Sequence, residues 1–329
     1  MSGPFVKGIA PRIKETISRL WKIYLFLTLL LFVLILLSVP NMSVLEAACL
    51  TFTTISTGGM DIKTGGVGSF NSVFLEWILI VFMMVGSINF SLYYHIAKGN
   101  LQRLRNPEFL LFLCGTLIFA FILSFILYGA VFQNLAGTNV VIGFTEALRY
   151  GIFHAVSSIT TTGYSIANYV LWPWTAQIMM FVLTFVGGMV GSTTGGLKVL
   201  RHFVLFKTAF FRLYLFFKPD SVRTLKIDEM EMNQNFIQDI LVLFWTVIIV
   251  GVISVFVFVS DGINPHSSMG IVSSMLTNSG LAFHVGGYVD SVVFLSPFLK
   301  VFSSFLMLLG RLEYFILLIL FIPSFWRSA

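Results

Sequence analysis

Charge is scarce in this sequence. Only 10% of its 329 residues are Asp, Glu, Lys or Arg, and 57% are hydrophobic. A soluble domain carries roughly a quarter of its residues as charges, so a water-facing globular surface is excluded; the mean hydropathy of +0.93 agrees. Cysteine is nearly absent as well: Cys49 and Cys114 lie in apolar surroundings without metal or redox spacing, which rules out a disulfide framework. None of the five histidines belongs to a metal motif, and His154 reads as a packed polar residue rather than a proton carrier. A cleavable signal is excluded too, because the N-terminal charged stretch and the apolar run after it are both too long and no small-residue cleavage site follows.

What is present is a series of apolar runs long enough for about 30 Å of hydrocarbon: Trp21–Val39, Phe74–Tyr94, Phe109–Phe132, Trp174–Val190, Phe236–Val259 and Pro297–Ile322. The expected fold class is therefore an all-α polytopic membrane protein. Pro11 can open a helix whose apolar stripe (Ile13, Ile17, Leu20, Trp21) runs into the first span. The net charge of +6 is unevenly placed. Lys7, Arg12, Lys14, Arg19 and Lys22 stand at the entry to the first run, and Lys98, Arg103 and Arg105 lie between the second and third. Lys198, Arg201, Lys207, Arg212, Lys218, Arg223 and Lys226 lie between the fourth and fifth, and Arg327 follows the last. The alternate connections hold only Lys63 and Arg149. This is the positive-inside asymmetry, and it predicts cytoplasmic termini rather than a nucleic-acid surface.

Each outside connection carries a short, mildly apolar segment followed by a polar turn. Ser43–Phe52 leads into Ser56, Thr57, Gly58 and Gly59; Thr145–Val156 leads into Thr160, Thr161, Thr162 and Gly163; His266–Met275 leads into Thr277, Asn278, Ser279 and Gly280. Gly59, Gly163 and Gly280 are 104 and 117 residues apart, so a unit of span, half-span and span occurs three times. We expect the units to be 1–107, 108–235 and 236–329. A segment of 10–14 residues is too short to cross and reads as a re-entrant half-helix. Non-helical backbone at membrane depth is tolerated only where it is buried in protein or lines a wet path. A ring of backbone carbonyls can replace the water shell of K+, glycine permits the angles that aim them, and each half-helix points the negative end of its dipole at the ion. The twelve turn residues are thus the expected filter, with K+ as the bound and transported ion.

These motifs, in this order, resemble the TrkH-type membrane subunit of bacterial potassium uptake systems, in the superfamily of the Ktr and plant HKT transporters. The likeness rests on Pro11-Arg12-Ile13, Ser56-Thr57-Gly58-Gly59, Gly86-Ser87-Ile88-Asn89-Phe90, Ile159–Tyr164, Gly191–Val199 and Leu309-Gly310-Arg311-Leu312-Glu313. It implies a multi-pass protein of the bacterial inner membrane, without catalytic residues or a cofactor of its own. It also implies a homodimer and a cytoplasmic nucleotide-binding regulatory subunit of the TrkA kind. Family members have four repeats around one pore, whereas this chain starts where the second would begin, so one filter wall is expected to be missing. A non-conducting assembly subunit, a Na+ transporter and a carrier of an organic solute are the alternatives.

The stretch Phe185–Lys198 holds Gly187, Gly188, Gly191, Gly195 and Gly196 with Ser192, Thr193 and Thr194. Its small residues allow close helix packing, but so many glycines make a poor helix, and a broken span beneath the filter is the expectation; in the family this loop obstructs the pore. A phosphate loop is excluded because Leu197 separates Gly196 from Lys198 and no Ser or Thr follows. Arg311, inside the last apolar run, either makes a structural ion pair or places a positive field beside the pore. Glu313 is two residues away and off its helix face. Glu46, Asp61, Glu76, Glu146, Asp261 and Asp290 outnumber Lys63 and Arg149 on the outside, as a cation-gathering mouth or as solvated loop charge.

Overall fold

The computed structural model describes residues 13–40, 42–63, 65–133, 139–218, 226–227, 230–231, 234–281, 283, 294–321 and 326. Pro11, Arg12, Lys7, Arg223, Asp290 and Arg327 lie outside the described residues.

The chain is helical and built in threes. The first unit contains α1 (Ile13–Ser38), α2 (Val44–Ile55), α3 (Val73–Ser87) and α4 (Phe90–Ala97). The second contains α5 (Pro107–Leu127), α6 (Phe144–Ile159), α7 (Trp174–Val186) and α8 (Val199–Phe217). The third contains α9 (Gln234–Ser260), α10 (Pro265–Thr277), α11 (Pro297–Arg311) and α12 (Phe315–Leu318). Two short antiparallel hairpins, Val131–Gln133 with Asn139–Val141 and Lys226–Ile227 with Met230–Glu231, are the exceptions among the described residues.

Each half-helix has a start written locally. Ser43 and Glu46 form a reciprocal capping box on α2, with bonds of 3.1 and 2.9 Å. Glu146 reaches back to the Gly143 amide at 3.4 Å on α6. On α10, Asn264 accepts from the His266 amide at 3.0 Å and Pro265 takes the first helical position. The three helices run 12, 16 and 13 residues, too short to cross.

α1, α5 and α9 are long and apolar enough to cross a membrane unaided, and α3 with α4 make a fourth if that bent pair is one span. The apolar packing also crosses unit boundaries. Phe153, Val156 and Tyr164 of the second unit complete the core around Leu31, Leu50 and Leu79 of the first. Leu281 and Phe283 of the third enter the core around Phe112, Leu123 and Met180 of the second.

The closing span of every unit differs from the uninterrupted run that hydropathy predicts. α3 and α4 meet at 95° across Ile88 and Asn89, α7 stops at Val186 instead of reaching Val190, and α11 stops at Arg311. Hydropathy averages over these interruptions because each holds at most one strongly polar residue, Asn89 or Glu313, within a run of apolar or small ones. The cause is polar-group pairing. The carbonyl of Gly86 accepts from the Thr193 amide at 3.2 Å and that of Ser87 from the Met189 amide at 3.0 Å, so neither closes a helical turn. Beyond Arg311, Glu313 and Tyr314 take left-handed angles (φ 58° and 56°). This turn carries the buried Tyr314 phenol onto the Leu276 carbonyl at the end of α10, 3.0 Å away. Arg311 therefore sits at a break, not in the middle of a continuous span.

Candidate functional site

The three polar turns converge, and they share one backbone design. Thr57, Thr161 and Asn278 occupy equivalent places and have φ of 52°, 52° and 53°; two residues on, Gly59, Gly163 and Gly280 have φ of 64°, 86° and 74°. Such left-handed angles alternate along each turn with an intervening residue of ordinary hand, Gly58, Thr162 or Ser279. Alternation of hand turns successive peptide units so that their amides point to one side. Those amides are bound by the half-helices behind them. Gly58 donates to the Thr53 carbonyl at 2.7 Å, Thr162 to the Ser157 carbonyl at 3.1 Å, and Ser279 to the Ser274 carbonyl at 3.1 Å. With their donors occupied at the rear, the turns have carbonyl oxygens left over. α2, α6 and α10 end at these turns, so the negative ends of three helix dipoles meet there.

The turns approach one another closely. A Cβ on Gly59 would lie 1.6 Å from the Thr162 carbonyl oxygen, and one on Gly163 would lie 1.9 Å from that of Ser279. With their left-handed angles, glycine is demanded twice over at both positions. Behind the contact, the buried Tyr164 phenol bonds the Thr53 hydroxyl at 2.6 Å, the Thr54 hydroxyl at 3.1 Å and the Leu50 carbonyl at 3.2 Å. One side chain of the second unit thus braces the half-helix of the first. The first turn adjoins the second and the second adjoins the third, and a cleft of about 720 Å³ is lined by residues of all three. Gly58, Asp61, Gly163, Asn278, Met307 and Arg311 are among its lining residues.

The hydroxyls of the turns mostly hold the frame. Thr160 and Thr162 bond each other at 2.8 Å, Thr57 donates to the Ser56 carbonyl at 2.7 Å, and Thr277 donates to the Ser273 carbonyl at 2.8 Å. Asn278 donates to the Met307 carbonyl at 3.1 Å. The buried Ser279 hydroxyl has no partner among the described residues.

Residues 187–198 form an irregular segment between α7 and α8, and it touches the end of all three half-helices. Thr193 donates its hydroxyl to the Ile55 carbonyl at 2.9 Å and accepts at its own carbonyl from Thr57, 3.0 Å away. The Gly195 amide donates to the Thr161 hydroxyl at 2.7 Å, and the Gly196 amide to the Thr277 carbonyl at 3.0 Å. Gly195 packs so closely that a Cβ would lie 2.1 Å from the Thr277 oxygen. Gly187 and Gly188 begin the segment, where the Gly188 amide is held by the Thr194 hydroxyl at 3.1 Å. Gly191 accepts from the Phe90 amide at 3.3 Å, and Ser192 bonds the Met189 carbonyl at 2.6 Å.

Two charged side chains that the sequence did not single out for this role anchor the segment. The buried Glu108, in the first turn of α5, accepts from the Val190 amide at 2.7 Å. The buried Lys198 ammonium donates to the carbonyl and hydroxyl of Thr194. Glu108 is an acid immediately after the basic 98–105 stretch, and that local reversal of sign was the available signal.

Arg311 lines the cleft and makes no hydrogen bond or ion pair with the described residues. Glu313 pairs instead with Arg201 of α8 at 2.5 Å, in keeping with the mismatch of helix faces expected between Arg311 and Glu313. Of the outer acids, Glu46 pairs with Lys63 at 3.3 Å and Glu76 with Arg149 at 3.6 Å, while Glu46 and Glu146 also cap helices. Much of the predicted acidic surplus is therefore structural. His154 is buried, with Nδ1 against the Tyr150 carbonyl at 2.9 Å and its ring edge-on to Trp172, as a packed polar residue would be.

Spans paired with re-entrant half-helices, three times over, around converging backbone turns, define a membrane protein of the pore-loop class. Residues 1–328 match the TrkH family of cation transport proteins, and the chain belongs to that family. It is 29% identical over 331 residues to the Trk system potassium uptake protein TrkH of Salmonella typhimurium, covering all of this chain and 66% of that protein. With the TrkH of Vibrio parahaemolyticus it shares 30% identity over 329 residues, 97% of this chain and 64% of the relative. The crystal structure of the potassium transporter TrkH from Vibrio parahaemolyticus superposes with a TM-score of 0.81 at 27% identity, over 98% of this chain and 67% of that one. The chain thus spans just under two thirds of the length of these curated relatives.

The Glu108 anchor is open to direct measurement. In Glu108→Ala the Val190 amide loses a charge-assisted acceptor worth roughly 1.5–3 kcal/mol, so its hydrogen exchange should accelerate by about ten- to a hundredfold. Glu108→Gln, whose amide oxygen can still accept, should lie between the two. Exchange at Val190 that is unchanged in Glu108→Ala would remove the carboxylate as an anchor.

Proposed function

We propose that this chain forms three walls of a K+ uptake pore, with Ser56–Gly59, Thr160–Gly163 and Thr277–Gly280 as the filter. The observation that carries this reading is the repeated turn, with amides bound to the half-helix behind and carbonyls left over. Such carbonyls suit a dehydrated monovalent cation and offer nothing to an organic zwitterion. On this reading residues 1–107, 108–235 and 236–329 are equivalent to the second, third and fourth repeats of a TrkH-type protein. The role is transport without catalytic chemistry, in the bacterial inner membrane, with the basic connections cytoplasmic.

The segment Gly187–Gly196 is the gate. It lies across the ends of all three half-helices and is held by many individually modest hydrogen bonds, which suits an element that must be displaced for ions to pass. Arg311 adds a fixed positive charge at the edge of the filter. A homodimer fits the family likeness. So does a TrkA-like nucleotide-binding regulator docking at α8 and the basic connection after it, and co-purification from the native membrane should recover such a subunit; its repeated absence would count against this partner.

Gly59 abuts Thr162 and Gly163 abuts Ser279, while a Cβ on Gly280 would meet only Gly163; this favours a further statement, that a fourth span, half-helix and span closes the ring between the third and first turns, and that without it the chain assembles but does not conduct. Ion flux through the purified chain, alone and joined to a fourth repeat, tests this directly.

In the four-walled context, Gly163→Ser should weaken discrimination of K+ over Na+. The added side chain meets the Ser279 carbonyl and must displace it from the ring. Unaltered ion competition in flux assays would exclude Gly163 from the filter.

Arg311→Gln in the same context should raise basal flux. A positive charge about 7 Å from a cation costs it roughly 2.4 kcal/mol at an effective dielectric near 20, so its removal should speed a step limited at this level by tens-fold. Deleting Gly191–Gly196 should act in the same direction. A stable Arg311→Gln protein with unchanged flux per folded molecule would end the role of Arg311 in gating.

A further inference from the structure

The bend between α3 and α4 holds backbone groups that have a second way to pair. In a continuous α-helix each amide bonds the carbonyl four residues back, so Phe90 would donate to Gly86 and Ser91 to Ser87. Here all four groups have other partners. The Gly86 carbonyl accepts from the Thr193 amide at 3.2 Å and the Thr193 hydroxyl at 3.0 Å, and the Ser87 carbonyl accepts from the Met189 amide at 3.0 Å. The Phe90 amide donates to the Gly191 carbonyl at 3.3 Å, and the Ser91 amide to the Asn89 side-chain oxygen at 2.8 Å. Thr193, Met189 and Gly191 all belong to the irregular segment 187–198.

Nothing between Val73 and Ala97 forbids the helical pairing. The stretch holds no proline, so every amide is there to donate. α3 and α4 together are long and apolar enough to make one span. As one helix, Val73–Ala97 would rise about 37 Å, against about 30 Å of hydrocarbon. The bent form is held by side chains instead. The Tyr93 phenol donates to the Val85 carbonyl at 2.6 Å. In an unbroken helix those two levels would be about 12 Å apart, too far for the phenol to reach. The rings of Tyr24 on α1 and Phe90 stand 5.8 Å apart, and Arg19 on α1 donates to the Tyr94 hydroxyl.

We propose that residues 86–91 exchange partners when the segment 187–198 leaves its place. Phe90 returns to Gly86 and Ser91 to Ser87, α3 and α4 straighten into one helix, and Thr193, Met189 and Gly191 lose their anchors. Both states satisfy the same four main-chain groups of the span, so neither leaves them bare in the membrane. The balance between them is then set by a few side-chain contacts, as in other bistable elements. This rests on the reading of Gly187–Gly196 as the gate and names the element that moves with it, but the exchange itself can be observed without ion flow.

The test uses the full chain in nanodiscs, with Cys49→Ser and Cys114→Ser removing the native thiols. Spin labels at Phe74→Cys and Lys98→Cys, both exposed positions, report the bend by pulsed electron paramagnetic resonance. With the 95° bend the two backbone sites lie about 25 Å apart, and a straight helix puts them about 36 Å apart. Asn89→Ala with Tyr93→Phe, which removes the acceptor of Ser91 and the bond to Val85, should raise the long-distance population severalfold. Amide exchange at Met189 and Thr193 should accelerate in step with it. Deleting Gly191–Gly196 should shift most of the population to the long distance; where that variant fails to fold, the paired point variants carry the test. An unchanged distance, or faster exchange at Met189 and Thr193 while the distance keeps its bent value, would overturn the proposal. In the four-walled context, a lengthened distance with unaltered flux would uphold the exchange and remove the segment as the gate.

Discussion

The governing constraint is that a backbone leaving the helix inside a membrane must find partners for its amides and carbonyls within the protein. This chain leaves the helix after each half-helix and again in each closing span. The half-helix carbonyls of Thr53, Ser157 and Ser274 satisfy the turn amides. The segment 187–198 satisfies much of the rest, accepting or donating at Ile55, Thr57, Gly86, Ser87, Thr161 and Thr277. Without that segment, the break between α3 and α4 would leave the buried Gly86 and Ser87 carbonyls without these partners. The break and the segment are therefore two halves of one arrangement, 100 residues apart in sequence.

Much of this was legible in the sequence because it is local. The half-helices declare themselves by length and by the polar turn that ends each one. The equivalence of Gly59, Gly163 and Gly280 follows from alignment alone, and their shared left-handed angles give it a structural meaning. The glycine content of 187–196 is by itself enough to signal a poor helix.

What was not legible is set by long-range pairing. Hydropathy draws Phe74–Tyr94 as one span because Ile88 is apolar and Asn89 is a single polar residue, yet the turn there is dictated by Thr193 and Met189. The last run looks continuous, and only the reach of Tyr314 to Leu276 explains its break. Glu108 and Lys198 read as ordinary charges at span ends, and only the fold brings them onto Val190 and Thr194. The acids of the outer face mislead for the same reason: their partners Lys63 and Arg149 lie 17 and 73 residues away in sequence.

One irregular segment serves three half-helices, and this asymmetry has a geometric reason. The turns sit around a common centre, so a segment entering from any one unit can reach the ends of all three. Two such segments would compete for the same space: Gly195 already lies so near Thr277 that a single added carbon would collide with it. The first and third units accordingly break their closing spans briefly, over Ile88–Asn89 and Leu312–Tyr314, while the second alone opens into twelve residues. Three near-repeats can thus share one irregular segment only by giving up the symmetry of the spans that enclose it.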